Sequence, residues 1–210
     1  MLLYLMLKYN QKYLILDCET DGLRLTDVKS WQIAWSLAEG NRITETHNEY
    51  IDYPDLEISD FIAKLTGFTW NEYNSKKKPA KEVWPKLKKE LYNPERIIIG
   101  QNIIGFDCYC LASLQKYLRE KPDYSYLPRL YDTQVLGKAY KEGLDKPTTG
   151  DFLSWQYKIK HDRTLKAKSS QLHQLKNLGI EFDEKMLHNA AYDIAMTFKI
   201  FLELKKRMNF

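Results

Sequence analysis

Asp17 and Glu19 stand two residues apart at the end of an apolar run, Tyr13-Leu14-Ile15-Leu16. Strand residues two apart share a face, so two like charges lie side by side where a core strand runs out. Asp107, in GQNIIGFDCYCLASLQKYL, recurs with Leu111, Leu114 and Leu118 at helical spacing, on the apolar stripe of a helix. Asp193 shares a face with Met196 and Ile200, beside a stripe of Ile194, Phe198, Phe201 and Leu202. Singly, each has an ordinary reading: Asp107 as a helix cap, Asp193 at a half-exposed margin. Together they are four carboxylates in core elements, with no inward Arg or Lys in those elements to pair them. Such groups are costly to bury unless a cation holds them. An all-oxygen donor set, without Cys or several His, suits Mg²⁺ or Mn²⁺ over Zn²⁺. Asp17 closes its strand at the carboxyl end, where open α/β sheets place their ligand crevices.

His188 adds a titratable group five residues before Asp193. In a regular helix the two would diverge by roughly 140°. They converge only if His188 precedes the helix and Asn189 caps it. An isolated His at a helix entrance is ordinarily a bystander; beside a metal it is placed to serve as a base. His47, His161 and His173 have no such context and read as surface residues.

The elements that must position these groups follow from periodicity. Runs rich in β-branched and aromatic residues predict strands near 12–17, 31–37 and 42–52, joined by turns at Asp21-Gly22 and Glu39-Gly40-Asn41. Helical patterning covers 56–65 and 80–91. A fourth strand, Arg96-Ile97-Ile98-Ile99-Gly100, leads into a helix near 106–119, and a short fifth strand falls at 129–132. Helices follow near 133–141, 170–178 and 190–206. An antiparallel start followed by strand–helix alternation predicts an α/β fold with a mixed central sheet of about five strands flanked by helices.

The 210 residues, 44% hydrophobic and 29% charged, suffice for one domain over 1–210 with a real core. A net charge of +4 is only a hint of an anionic partner. Three cysteines, an odd number, suit no disulfide framework, and the lone Cys108-x-Cys110 falls short of a zinc site. Residues 1–11 read as an N-terminal extension; MLLYLML is too short to span a bilayer and lacks a signal-peptide pattern. The cytoplasm is therefore the expected compartment. Segment 138–168 is a basic, aromatic insertion: eight cations against four anions, with Phe152, Trp155 and Tyr157 interleaved. Such a mixture could track a phosphate backbone and stack bases, and reads equally as a solvated surface insertion held down by its aromatics.

Three motifs in order now carry a resemblance. Asp17-Cys18-Glu19-Thr20-Asp21-Gly22 is similar to D-x-E-T-x-G, Asn102-Ile103-Ile104-Gly105-Phe106-Asp107 to N-x-x-x-F-D, and His188-Asn189-Ala190-Ala191-Tyr192-Asp193 to H-x-A-x-x-D. The chain thus resembles the DnaQ-like 3′–5′ exonucleases, the DEDDh branch of the DEDD superfamily, from about residue 12 to 206. Weaker echoes are Leu65-Thr66-Gly67-Phe68-Thr69 and Tyr131-Asp132-Thr133. Gln101 departs from the His of many relatives, and 138–168 is longer than usual.

The resemblance implies a ribonuclease H-like fold and hydrolysis of phosphodiester bonds with two divalent cations, Mg²⁺ or Mn²⁺. By it, Asp17 would bridge both ions, Glu19 and Asp193 would complete one site, and Asp107 would hold the second. His188 would deprotonate the attacking water. Thr20, Thr66, Gly67 and Phe68 would wrap the terminal nucleotide, although Phe68 reads as readily as core. Asp132 is expected to be an N-cap and Asn102 to secure its own loop. Trp155, Lys158, Lys160, Lys166 and Lys168 are the candidate contacts to nucleic acid in the insertion. The expected activity is release of nucleoside 5′-monophosphates from the 3′ end of DNA, preferably single-stranded. An exoribonuclease like ribonuclease T or oligoribonuclease is the alternative, and a silent nucleic-acid-binding or polymerase-docking module a third. The implied partners are a nucleic acid with a free 3′ end and, for proofreading, a DNA polymerase or another replication or repair factor, with no membrane. No C-terminal tail for polymerase docking is expected after the last helix.

Overall fold

The computed structural model describes residues 11–145, 151–187 and 189–208. Most of the 1–11 extension, and His188 itself, lie outside them. Six strands form one mixed sheet: β1 (Lys12–Glu19), β2 (Gln32–Glu39), β3 (Arg42–Asp52), β4 (Lys77–Pro79), β5 (Arg96–Gly100) and β6 (Leu130–Asp132). Their order is β4-β3-β2-β1-β5-β6. The β1–β2–β3 stretch is antiparallel, whereas β5 runs parallel to β1, and β6 to β5. The expected mixed sheet is therefore present with one strand more. The addition, β4, is three exposed residues pairing in parallel with the end of β3; Lys-Lys-Pro carries no strand periodicity, so only backbone pairing reveals it.

Alternation along β1 divides the core. Leu14, Leu16 and Cys18 face one way, into a cluster with Val83, Trp84 and Leu87 of α3 (Ala80–Leu91) and Cys110, Leu111 and Leu114 of α4 (Asp107–Tyr117). Tyr13 and Ile15 face the other way, against Ile194, Phe198 and Phe201 of α8 (Ala190–Arg207) and Leu175 of α7 (Gln171–Leu178). With both faces of the sheet covered, β2 is buried along seven of its eight residues, as sheets sandwiched between helix layers require.

Four further α-helices lie among the described residues: α1 (Asp60–Thr66), α2 (Trp70–Lys76), α5 (Thr133–Lys141) and α6 (Phe152–His161). α2 and α6 are additions to the expected elements. Within the basic segment 138–168, α6 starts on an Asp151 cap whose carboxylate accepts the Leu153 N–H at 2.9 Å and turns Gln156 and Ile159 inward. Among the described residues no helix is long and apolar enough to cross a membrane.

Candidate active site

The same alternation aims the acids. Asp17 and Glu19, odd-numbered like Tyr13 and Ile15, face α8. Asp193 sits on the first turn of that helix, whose Asn189 cap accepts the Tyr192 N–H at 3.2 Å. One carboxylate oxygen from each of Asp17, Glu19 and Asp193 lies within 4.8 Å of the others. Cys18 points to the opposite face, towards α4, where Asp107 opens the helix. Asp107 is 2% exposed, and its Oδ1 has no hydrogen-bond partner among the described residues. None of the ion pairs among those residues involves Asp17, Glu19 or Asp107.

The electrostatics match that geometry. Burial, then the charge of Asp193, pushes the Asp17 carboxyl up to about 7. Burial, then Asp17, Asp193 and Asp107, pushes Glu19 up to about 9. Burial and Asp17 likewise hold Asp107 well above the usual carboxylate range, partly offset by backbone and Cys18 hydrogen bonds. Clustered acids that resist ionisation at neutral pH are what a divalent cation relieves. The donors are all hard oxygens, and one of them is an orphaned, buried oxygen. These residues fit a cation such as Mg²⁺ or Mn²⁺.

Asp107 is delivered by the loop between β5 and α4, and that loop is pinned from outside. Asp132, fully buried, accepts the N–H of Asn102 at 2.9 Å and of Ile104 at 3.3 Å. The same carboxylate caps α5 through the N–H of Gln134, so the expected cap has a second task. Asn102 takes a left-handed φ of 63°. Gln101 ties the loop to its neighbours, donating to the Ser169 carbonyl at 2.9 Å and accepting from Thr133 at 2.6 Å.

Beside the carboxylates opens a cavity of about 420 Å³. Thr66, Gly67 and Phe68 line one side and Asn189 and Ala190 another. Gln32, paired in register with Glu19, forms part of its wall. Gly67 ends α1 with φ 69°, turning the chain so that the following residues face the opening. Phe68 is 7% exposed and held edge-on by Trp31 and Trp70. The Thr20 hydroxyl is 2.8 Å from the Gly22 carbonyl to which it donates. Sequence reasoning passed over a polar chain on the cavity wall. Gln32 Nε2 donates to Asn48 at 2.7 Å, and the Tyr50 hydroxyl donates to Glu72 at 2.8 Å. A Gln opening the apolar-rich run Gln32-Ile33-Ala34-Trp35 is the signal that could have found it.

The insertion's candidate residues separate. Lys158, Lys166 and Lys168 are exposed. Trp155 is half-buried, stacked on Phe152 with ring centroids 5.5 Å apart, and packed against both the α8 core and a small cluster of Val135, Ala139 and Ile159. Lys160 turns inward, with a side chain only 14% exposed and its ammonium 3.5 Å from Asp132 Oδ2.

A family model described as Exonuclease (RNase_T) matches residues 14–201. No curated protein matches the chain. Among solved structures, E. coli exonuclease I in complex with a 5cy-dT13 oligonucleotide superposes with a TM-score of 0.70 at 19% identity, covering 95% of this chain and 41% of that one. The zinc-bound form of the E. coli exonuclease I–ssDNA complex gives 0.72 at 19% identity, with coverages of 95% and 41%. Apo exonuclease I gives 0.71 at 18% identity, covering 95% and 43%. The chain spans about two-fifths of the length of these proteins, and the likeness establishes the shared ribonuclease H-like fold.

Proposed function

The chain belongs to the exonuclease family, and from that premise we propose that it is a metal-dependent 3′–5′ exonuclease of the DEDDh type, acting preferentially on single-stranded DNA. The observation that carries this reading is the convergence of Asp17, Glu19 and Asp193 within 4.8 Å, beside a buried Asp107 that lacks a cationic partner among the described residues. Asp17, Glu19 and Asp193 would hold divalent cation, with Asp107 completing the set. When bound, Mg²⁺ or Mn²⁺ supplies charge stabilisation to the phosphoryl oxygens and acidifies water for attack. The rest is the work of this chain's side chains. His188, in its neutral form, would accept the proton of the attacking water. Thr66, Gly67 and Phe68 would enclose the terminal nucleotide in the cavity, and Asn189 would fix the start of the helix that presents Asp193. Lys158, Lys166 and Lys168 are proposed to meet the phosphate backbone farther along the strand.

The exonuclease I neighbours solved with a 5cy-dT13 oligonucleotide and with ssDNA favour a single-stranded DNA substrate. We place the domain at 1–210 with 138–168 as its insertion, and its partner as a nucleic acid with a free 3′ end. Three free, buried cysteines accord with a reducing, cytoplasmic setting. The test is digestion of matched 5′-labelled DNA and RNA oligonucleotides. The expected result is a ladder shortening from the 3′ end, release of nucleoside 5′-monophosphates, and faster loss of DNA. Faster loss of RNA would make the protein an exoribonuclease, and no shortening of either would leave a binding module.

A further inference from the structure

Lys160 has an environment that no phosphate-binding lysine needs. It lies on α6, within the basic insertion, yet its ammonium donates to Asn102 Oδ1, reaches Gln134 Oε1 at 3.4 Å and faces the fully buried Asp132 at 3.5 Å. Among the described residues Lys160 is the only cation that pairs with Asp132. Its stem lies directly over Gly105: a Cβ placed there would come within 2.5 Å of Lys160 Cε and 2.6 Å of Asn102 Oδ1. The glycine of this loop is thus the space through which the lysine passes. Gly105 is two residues before Asp107. Asn102 and Ile104, both bound by Asp132, set the path of the turn.

The pin has a second anchor on the same helix. Gln156 Oε1 accepts the Asp132 N–H at 2.8 Å, and Gln156 Nε2 donates to the Leu130 carbonyl at 2.8 Å. One turn of α6 therefore fixes the end of β6, and the next fixes the loop that carries Asp107. A left-handed Asn102 is a strained backbone state for a non-glycine residue, and it is held here by groups on both sides.

We infer that Lys160 is a positioning residue for the carboxylate site, with the insertion helix serving as the brace that sets Asp107 in place. This assignment rests on the metal-site reading above. Lys160 acts through Asp132 and Asn102 and touches no substrate. It therefore belongs apart from Lys158, Lys166 and Lys168, which are exposed on the surface.

The experiment compares wild type, Lys160→Met and Asn102→Gly. The glycine variant suits the left-handed turn while deleting the acceptor of Lys160, so it keeps the test usable if the buried-charge variant fails to fold. Mn²⁺ affinity is measured by calorimetry on metal-free protein without nucleic acid, and KM, its salt dependence and half-saturating Mn²⁺ are measured in turnover. The expected result is Mn²⁺ affinity weakened roughly 10–100-fold in either variant, the usual effect of losing a group that orients a metal ligand, with the salt dependence of KM unchanged. Wild-type Mn²⁺ affinity in the folded variants, with only a lowered Tm, would make Lys160 a stability brace and overturn the inference. A raised KM with a shallower salt slope and intact Mn²⁺ affinity would overturn it in favour of a phosphate contact. A wild type that binds no Mn²⁺ would overturn the metal-site reading itself, and this assignment with it.

Discussion

At the residue scale, the chemistry begins with the mutual repulsion of Asp17, Glu19, Asp107 and Asp193. Asp17 is raised from 3.8 to about 7 and Glu19 from 4.5 to about 9, so the folded state holds these protons more tightly than the unfolded one. Stability contributed by such groups is present at low pH and is lost as pH rises through those windows. The metal-free protein should therefore lose Tm between pH 5 and pH 8. Asp17→Asn, which cannot ionise, should lose less, and added Mn²⁺ should restore the wild type. Parallel Tm-versus-pH curves for the two proteins in EDTA would contradict this electrostatic account. The same substitution should abolish nearly all turnover while leaving the fold intact. His188→Ala is expected to lower kcat by about 10²–10⁴-fold, the range for loss of a general base. Its KM should change far less, and its rate should no longer rise through the imidazole pKa. An unchanged kcat and pH profile would remove His188 from the mechanism.

At the element scale, α6 shows how a segment can be basic in composition and structural in part. Trp155 is half-buried, stacked on Phe152 and packed towards α8. Trp155→Ala should cost about 2 kcal/mol, below the loss for a fully buried aromatic, and lower Tm by several degrees while KM stays near the wild-type value. A raised KM with unchanged Tm would instead place a base on that ring. The helix was not legible in the sequence because its inward face carries Gln156 and Lys160, whose burial is repaid only by partners distant along the chain. Periodicity finds unbroken apolar faces, and here Gln156 and Lys160 interrupt the apolar contacts of Trp155 and Ile159. Strand β4 was hidden for a different reason, since Lys77–Pro79 is exposed on every residue. The acids could be read directly, because a carboxylate on an apolar stripe, such as Asp107 among Leu111 and Leu114, is an anomaly that sequence alone exposes. The grip of Asp132 and Lys160 on their loop was not, because a cap and a surface lysine are the ordinary readings of those residue types.

At the scale of the whole molecule, β1 ends on Asp17 and Glu19 with the cavity beside them, while Lys158, Lys166 and Lys168 are exposed on a separate segment. If Lys158, Lys166 and Lys168 meet phosphates, neutralising all three should reduce the log–log salt slope of single-strand binding by roughly 0.7 per contact, with the saturated rate kept. An unchanged slope would leave them as a solvated surface. The central claim is that the carboxylate cluster works as a divalent-cation site for phosphodiester hydrolysis. It is tested most directly by following digestion of a 5′-labelled single-stranded oligonucleotide after rigorous chelation, then after adding Mg²⁺ or Mn²⁺, for wild type and Asp17→Asn. The account predicts no shortening in the chelated samples, full recovery of the wild type with either cation, and no recovery of the variant. Undiminished digestion after chelation, or a variant as active as wild type, would contradict it.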